Sequence, residues 1–138
     1  MSWPTLVLGF STLLAAACAT STGAVRPIGL DQETELAPGQ SVQSGPLRIT
    51  FTRVEGDSRC PTDVTCVWEG DALVKIEVSQ QPGDPVAREL HTSGSAGAGE
   101  TTYGGFRIEL VRLSPQTHSQ HPIPAQDYRL VLKIKQPS

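Results

Sequence analysis

In LRITFTRV, residues 47–54, every second side chain is apolar: Leu47, Ile49 and Phe51 fall on one side, and Arg48, Thr50 and Thr52 on the other. A repeat of two is what an extended strand with one buried face requires, whereas a helix would scatter the same residues around its axis. The pattern returns in YRLVLKIK, with Tyr128, Leu130, Leu132 and Ile134 inward and Arg129, Lys133 and Lys135 outward. In FRIELVRL the apolar set is Phe106, Ile108 and Leu110, then Val111 and Leu113, so the register slips by one and predicts a β-bulge. PVARELHT is a weaker strand with Val86 and Leu90, and ETELAPGQSVQSG reads as two short strands around a Pro38-Gly39 turn. No helical period of any length competes with these runs. At 138 residues the chain has room for one domain. About seven short strands punctuated by Pro, Gly, Asp and Ser predict an all-β, antiparallel, immunoglobulin-like β-sandwich, with a partly closed β-barrel as the alternative.

The N-terminus restricts where such a domain resides. Leu6 to Ala17 is an uncharged apolar run of twelve, too short to cross about 30 Å of hydrocarbon as a stable helix. It fits the apolar region of a secretory signal, although no Lys or Arg precedes it and the first is Arg26. The stretch Leu14-Ala15-Ala16-Ala17-Cys18 resembles the lipobox of bacterial lipoproteins, departing from it at Ala15, where Leu is usual. That resemblance implies that Cys18 carries a lipid and becomes the mature N-terminus. The plainer alternative is cleavage after Ala17 or Ala19, with Cys18 a bystander and the product soluble in the periplasm or secreted. Cysteine parity favours lipidation, because removing Cys18 from the three cysteines leaves an even pair. The expected division is a signal over residues 1–17, a lipidated tether over 18–31 and the sandwich over 32–136.

The remaining pair, Cys60 and Cys66, closes a short loop, Pro61-Thr62-Asp63-Val64-Thr65, that begins with a proline and carries an aspartate. In an oxidising compartment a disulfide is the expected state, stabilising by about 2 kcal/mol in the chain-entropy account. Zinc would need a second ligand pair at suitable spacing, and His91, His118 and His121 lie far along the chain. A redox dithiol would need Cys-x-x-Cys at a helix start. From Cys66 the even positions read Cys66, Trp68, Gly70, Ala72, Val74, Ile76 and Val78, while Glu69, Asp71, Lys75 and Glu77 are odd. This parity predicts a strand from Cys66 onward with Trp68 in the core beside the disulfide, and ligand stacking by the indole as the lesser alternative.

Glu-Gly-Asp occurs twice, at 55–57 and 69–71, bracketing the disulfide loop. With Asp63 the repeats make that end of the domain acidic. Asp57, Asp63, Glu69 and Asp71 are therefore the candidate binding residues, for calcium or a basic partner, against a default of solvated turn carboxylates. The Gly-rich stretch Ser93–Gly105 lacks the Lys-Ser/Thr ending of a phosphate loop and reads as a flexible hairpin connection. HSQH, residues 118–121, places two imidazoles in a loop, too few ligands for a metal by themselves. A Gly-x-Ser-x-Gly elbow, a Cys-His pairing and paired carboxylates in an apolar setting are all missing at recognisable spacings. A net charge of -3 without a basic cluster argues against nucleic acid as a partner.

SRCPTDVTCVWEGDALVKIEV resembles a group of small, largely uncharacterised exported bacterial proteins that share an Arg-Cys-Pro start, a second Cys before Val-Trp, a Gly two after the Trp, and a strand. The matching positions are Arg59, Cys60, Pro61, Cys66, Val67, Trp68 and Gly70. The resemblance implies an exported sandwich domain with a disulfide and transfers no catalytic residue. The expectation is thus a non-enzymatic envelope lipoprotein without cofactor, held at the membrane by its lipid and binding an envelope protein or other ligand. The alternatives are a secreted protease-inhibitor-like module and a small envelope hydrolase. The hydrolase would need one of the three histidines beside a serine and an acid.

Overall fold

The structure is a computed structural model that describes residues 24–136, and among these nine strands form two sheets. In chain order they are β1 (Arg26–Pro27), β2 (Glu33–Leu36), β3 (Ser41–Ser44), β4 (Leu47–Asp57), β5 (Ala72–Gln80), β6 (Val86–His91), β7 (Glu100–Tyr103), β8 (Phe106–Ser114) and β9 (Arg129–Lys135). One sheet runs β1-β3-β4-β5-β6 and the other β2-β9-β8-β7. All pairs are antiparallel except β1 with β3. The two sheets remain separate, so the molecule is a β-sandwich and not a closed barrel.

The alternating faces predicted from sequence meet in the middle. Leu47, Ile49 and Phe51 of β4 and Val74, Ile76 and Val78 of β5 pack in one buried cluster with Ile108 of β8 and Leu130, Leu132 and Ile134 of β9. Each such side chain contributes on the order of 1.5–3 kcal/mol by leaving water. Val131 is also buried, and Val86 is half-exposed at the start of edge strand β6, both against the simple alternation. The slip in β8 is a bulge: Leu110 faces Leu132 and Arg112 faces Val131, leaving Val111 as the extra residue.

Two strands have no counterpart in the sequence reading. β7 lies within the Gly-rich stretch and pairs with β8 across Gly104-Gly105, whose φ values of 57° and 84° suit the primed hairpin turns that match strand twist. β1 lies in the segment expected to be tether. Arg26 pairs with Val42 of one sheet, and its guanidinium reaches Thr34 Oγ1 at 3.0 Å and the Glu35 carbonyl at 2.7 Å in the other. Ile28 packs on the core and the Asp31 amide donates to the Ile134 carbonyl at 2.8 Å. The sandwich therefore starts before residue 32, because Arg26 ties the edges of both sheets together. The signal segment and Cys18 lie outside the described residues.

The Pro38-Gly39 turn does form, but it carries the chain from one sheet to the other: β2 pairs with β9, and β3 with β4.

Candidate functional site

Strand β4 ends at Asp57 opposite Ala72, β6 ends at His91 opposite Leu73, and β8 ends at Ser114 opposite Arg129. Loops 58–71, 92–99 and 115–128 consequently gather at one end of the sandwich. The first is closed by the Cys60–Cys66 disulfide, as its spacing predicted. It is held to the other two by the acidic residues that the sequence offered as binding groups.

Asp57 and Arg59 form a buried pair, their side chains 9% and 10% exposed. Arg59 Nε and Nη2 donate to the two carboxylate oxygens at 2.8 and 2.7 Å, the fork-to-fork geometry that fixes both groups. Arg59 Nη1 reaches the Leu113 carbonyl at 2.8 Å, and Nη2 the Pro115 carbonyl at 3.0 Å. The Tyr128 hydroxyl donates to Asp57 Oδ2 at 2.9 Å. Burial pushes the Asp57 carboxyl up, but these hydrogen bonds and the guanidinium charge outweigh it and hold it below the usual carboxylate range. Burial and the facing carboxylate push the Tyr128 phenol up to about 12.

Asp71 does the same for the 92–99 loop. His91 Nδ1 lies 2.6 Å from Asp71 Oδ2, while the Ser93 amide at 2.9 Å and the Thr92 hydroxyl at 3.2 Å donate to Oδ1. Burial raises this carboxyl, and the hydrogen bonds from His91 and Ser93 bring it below its ordinary value. The Ser93 hydroxyl donates to Glu69. Asp63 accepts the Ser119 amide at 2.9 Å and the Ser119 hydroxyl, bonds that lower its pKa. Thr62 and Thr117 complete the seam, with the Thr62 amide on the Thr117 carbonyl at 3.0 Å and the Thr117 hydroxyl on the Arg59 carbonyl at 3.2 Å.

All four candidate acids are thus brought to one end of the fold, but as acceptors for neighbouring loops and not as a free acidic surface. Among the described residues no three His, Cys, Asp or Glu side chains form a metal cluster. Hydrogen-bonding partners such as Ser93, Ser119 and Tyr128 are separated in sequence from the acids they serve. Only Arg59 stood out beforehand, through the Arg-Cys-Pro motif, and nothing in the sequence assigned its role.

Trp68 corrects the sequence reading. It is 81% exposed and Val67 89%, with Val64 also exposed on the same loop. β5 begins at Ala72, so the parity counted from Cys66 crosses a break. At Gly70 φ is +69°, and a Cβ there would lie 1.8 Å from the Ser58 carbonyl oxygen. Gly70 keeps a structural role, letting the two arms of the loop pass each other, and this turn rotates Cys66 and Trp68 away from the core face.

The histidine test for a hydrolase has a partial outcome. His91 meets Asp71, and His118 Nδ1 lies 3.6 Å from Asp63 Oδ2. Among the described residues no serine hydroxyl hydrogen-bonds to an imidazole. Gly97 also crowds the other edge of His91, where a Cβ would stand 2.6 Å from Nε2. A pocket of about 510 Å³ opens between the end of β4 and loop 115–128, bordered by Val54, Asp57, His118, His121, Ile123 and Tyr128.

Fold and site together define an all-β sandwich that presents a disulfide-braced loop with an apolar tip. Comparison with protein-family profiles, with curated proteins and with solved structures finds no match to the chain.

Proposed function

We propose that the chain is a non-enzymatic binding module of the bacterial cell envelope, tethered by a lipid on Cys18, which recognises a partner protein through Val67 and Trp68. The observation that carries this reading is the exposure of Trp68, 81%, on a loop fixed by a disulfide and by three sets of carboxylate hydrogen bonds. A large aromatic held rigidly in water loses little entropy on docking and gains its burial, the combination found in interface hot spots. Val67 and Trp68 stand exposed side by side, so the complementary surface is an apolar pocket. The tether rests on the Leu14–Cys18 stretch and on cysteine parity.

The test is crosslinking of the full chain in its native envelope, with partners identified by mass spectrometry. Trp68→Ala should abolish the specific crosslinks while chemical denaturation shows a change within about ±0.5 kcal/mol, as at other exposed sites. Crosslinks that survive Trp68→Ala remove the loop tip from recognition. Cys18→Ser should move the protein to the soluble fraction, and a Cys18→Ser variant still wholly membrane-bound removes the lipid anchor.

The same braced, outward-facing loop favours a second reading, a protease-inhibitor-like module. It is distinguished by whether the crosslinked partner is a protease whose activity falls on titration with the chain.

A further inference from the structure

We propose that His118 and His121 form a binding site for a borderline divalent transition-metal ion, copper(II) in preference to zinc(II). The two residues close a tight turn in loop 115–128, with the His121 amide donating to the His118 carbonyl at 3.2 Å in an antiparallel bridge. The turn sets the rings edge to face, centroids 5.1 Å apart. It places Nδ1 of one imidazole 3.3 Å from Nδ1 of the other. Two nitrogens each about 2.0–2.1 Å from one ion stand roughly 2.8 Å apart in a square-planar arrangement and 3.3–3.4 Å apart in a tetrahedral one, so a small ring rotation brings this pair onto copper and none is needed for zinc. In the tautomer with Nε2 protonated on both neutral rings, both Nδ1 atoms carry lone pairs at ligand separation, and a cation shared between them removes their repulsion.

The surroundings suit a cation. Asp63 Oδ2 stands 3.6 Å from His118 Nδ1 and adds negative charge beside the pair. Asp63 is itself fixed by the Ser119 amide and hydroxyl, and Ser119 sits inside the same turn, so the imidazoles are held in place by the disulfide loop. The His118 side chain is 46% exposed, and both rings border the pocket of about 510 Å³, so an ion enters from water and keeps water ligands. As placed, no third His, Cys, Asp or Glu among the described residues completes a cluster. The site is therefore a two-imidazole chelate finished by water, with Asp63 as the adjacent anion. Imidazole donors select copper, nickel and zinc over the oxygen-seeking calcium and magnesium, and copper binds first in the divalent series.

Titration calorimetry of the full chain with copper(II) and zinc(II) at neutral pH tests this, together with the electron paramagnetic resonance spectrum at one equivalent of copper. The expected result is saturable one-to-one uptake, tighter for copper, with a spectrum showing coordinated imidazole nitrogen. His118→Ala and His121→Ala should each abolish it while circular dichroism stays that of the parent, and His91→Ala should bind as the parent does. Uptake that persists in both the His118 and His121 variants, or no saturable uptake by the parent, overturns the proposal. The latter result would mean that the two rings share a proton only.

Discussion

Arg59 uses Nε, Nη1 and Nη2 to join the end of β4, the end of β8 and the loop that follows it. Removing it would leave the Asp57 carboxylate buried without its countercharge. Arg59→Ala should therefore cost about 3–5 kcal/mol in urea denaturation. Arg59→Lys should recover little of that, because an ammonium cannot reproduce the two-pronged contact. Tyr128 adds a pH signature at the same place. Its pKa is raised from 10.0 to about 12, so the neutral phenol stabilises the fold fully below pH 10, and that contribution is lost as pH rises through 12. Tyr128→Phe should erase this part of the alkaline limb, which denaturation midpoints measured across that window would reveal. These roles were not legible from the sequence. Period-two patterning placed Tyr128 inward correctly, but nothing in the sequence marks that this distant tyrosine meets the aspartate two residues before Arg59.

At the scale of elements, local pattern was informative wherever a strand had one wet face. Apart from the buried Ser79 and Val131, β4, β5 from Ala72 onward and β9 follow their alternation, and even the bulge at Val111 shows as a slip in parity. Pattern failed at β7 and β1, which are only four and two residues long. Such short strands form because a neighbouring edge offers hydrogen bonds, a condition set by the rest of the sheet. It failed again at Cys66–Trp68, where parity ran unbroken through a glycine that bends the chain. The disulfide loop yields its own prediction. A Cys60→Ser, Cys66→Ser variant should lose about 2 kcal/mol, and the freed loop should show lower Trp68 fluorescence anisotropy than the parent. An unchanged anisotropy would mean that the carboxylate hydrogen bonds hold the tip without the disulfide.

For the whole molecule, acid should be the weak direction. Asp57 and Asp71 both titrate below their ordinary value of 3.8 and both join separate loops. Their contribution is fully present above that value and is lost as pH falls through the depressed folded pKa values. The parent should thus lose stability on acidification below the ordinary value of 3.8. An Asp71→Asn variant, already lacking one of these bonds, should start lower and fall less steeply, as denaturation at stepped pH would show.

What the sequence determined by itself is the all-β class, the core faces of its long strands, and the pairing of Cys60 with Cys66. These follow from side-chain periodicity and from cysteine spacing and number, which are local or countable properties. The tertiary structure alone decided that β2 and β3 belong to different sheets and that Arg26 ties both sheets together. It also decided that the acids latch three loops and that Trp68 faces water while Arg59 and Tyr128 meet on the Asp57 carboxylate. Each of these depends on groups distant in sequence meeting across a gap, and a buried charge or an exposed indole is defined only by the neighbours that the completed fold supplies.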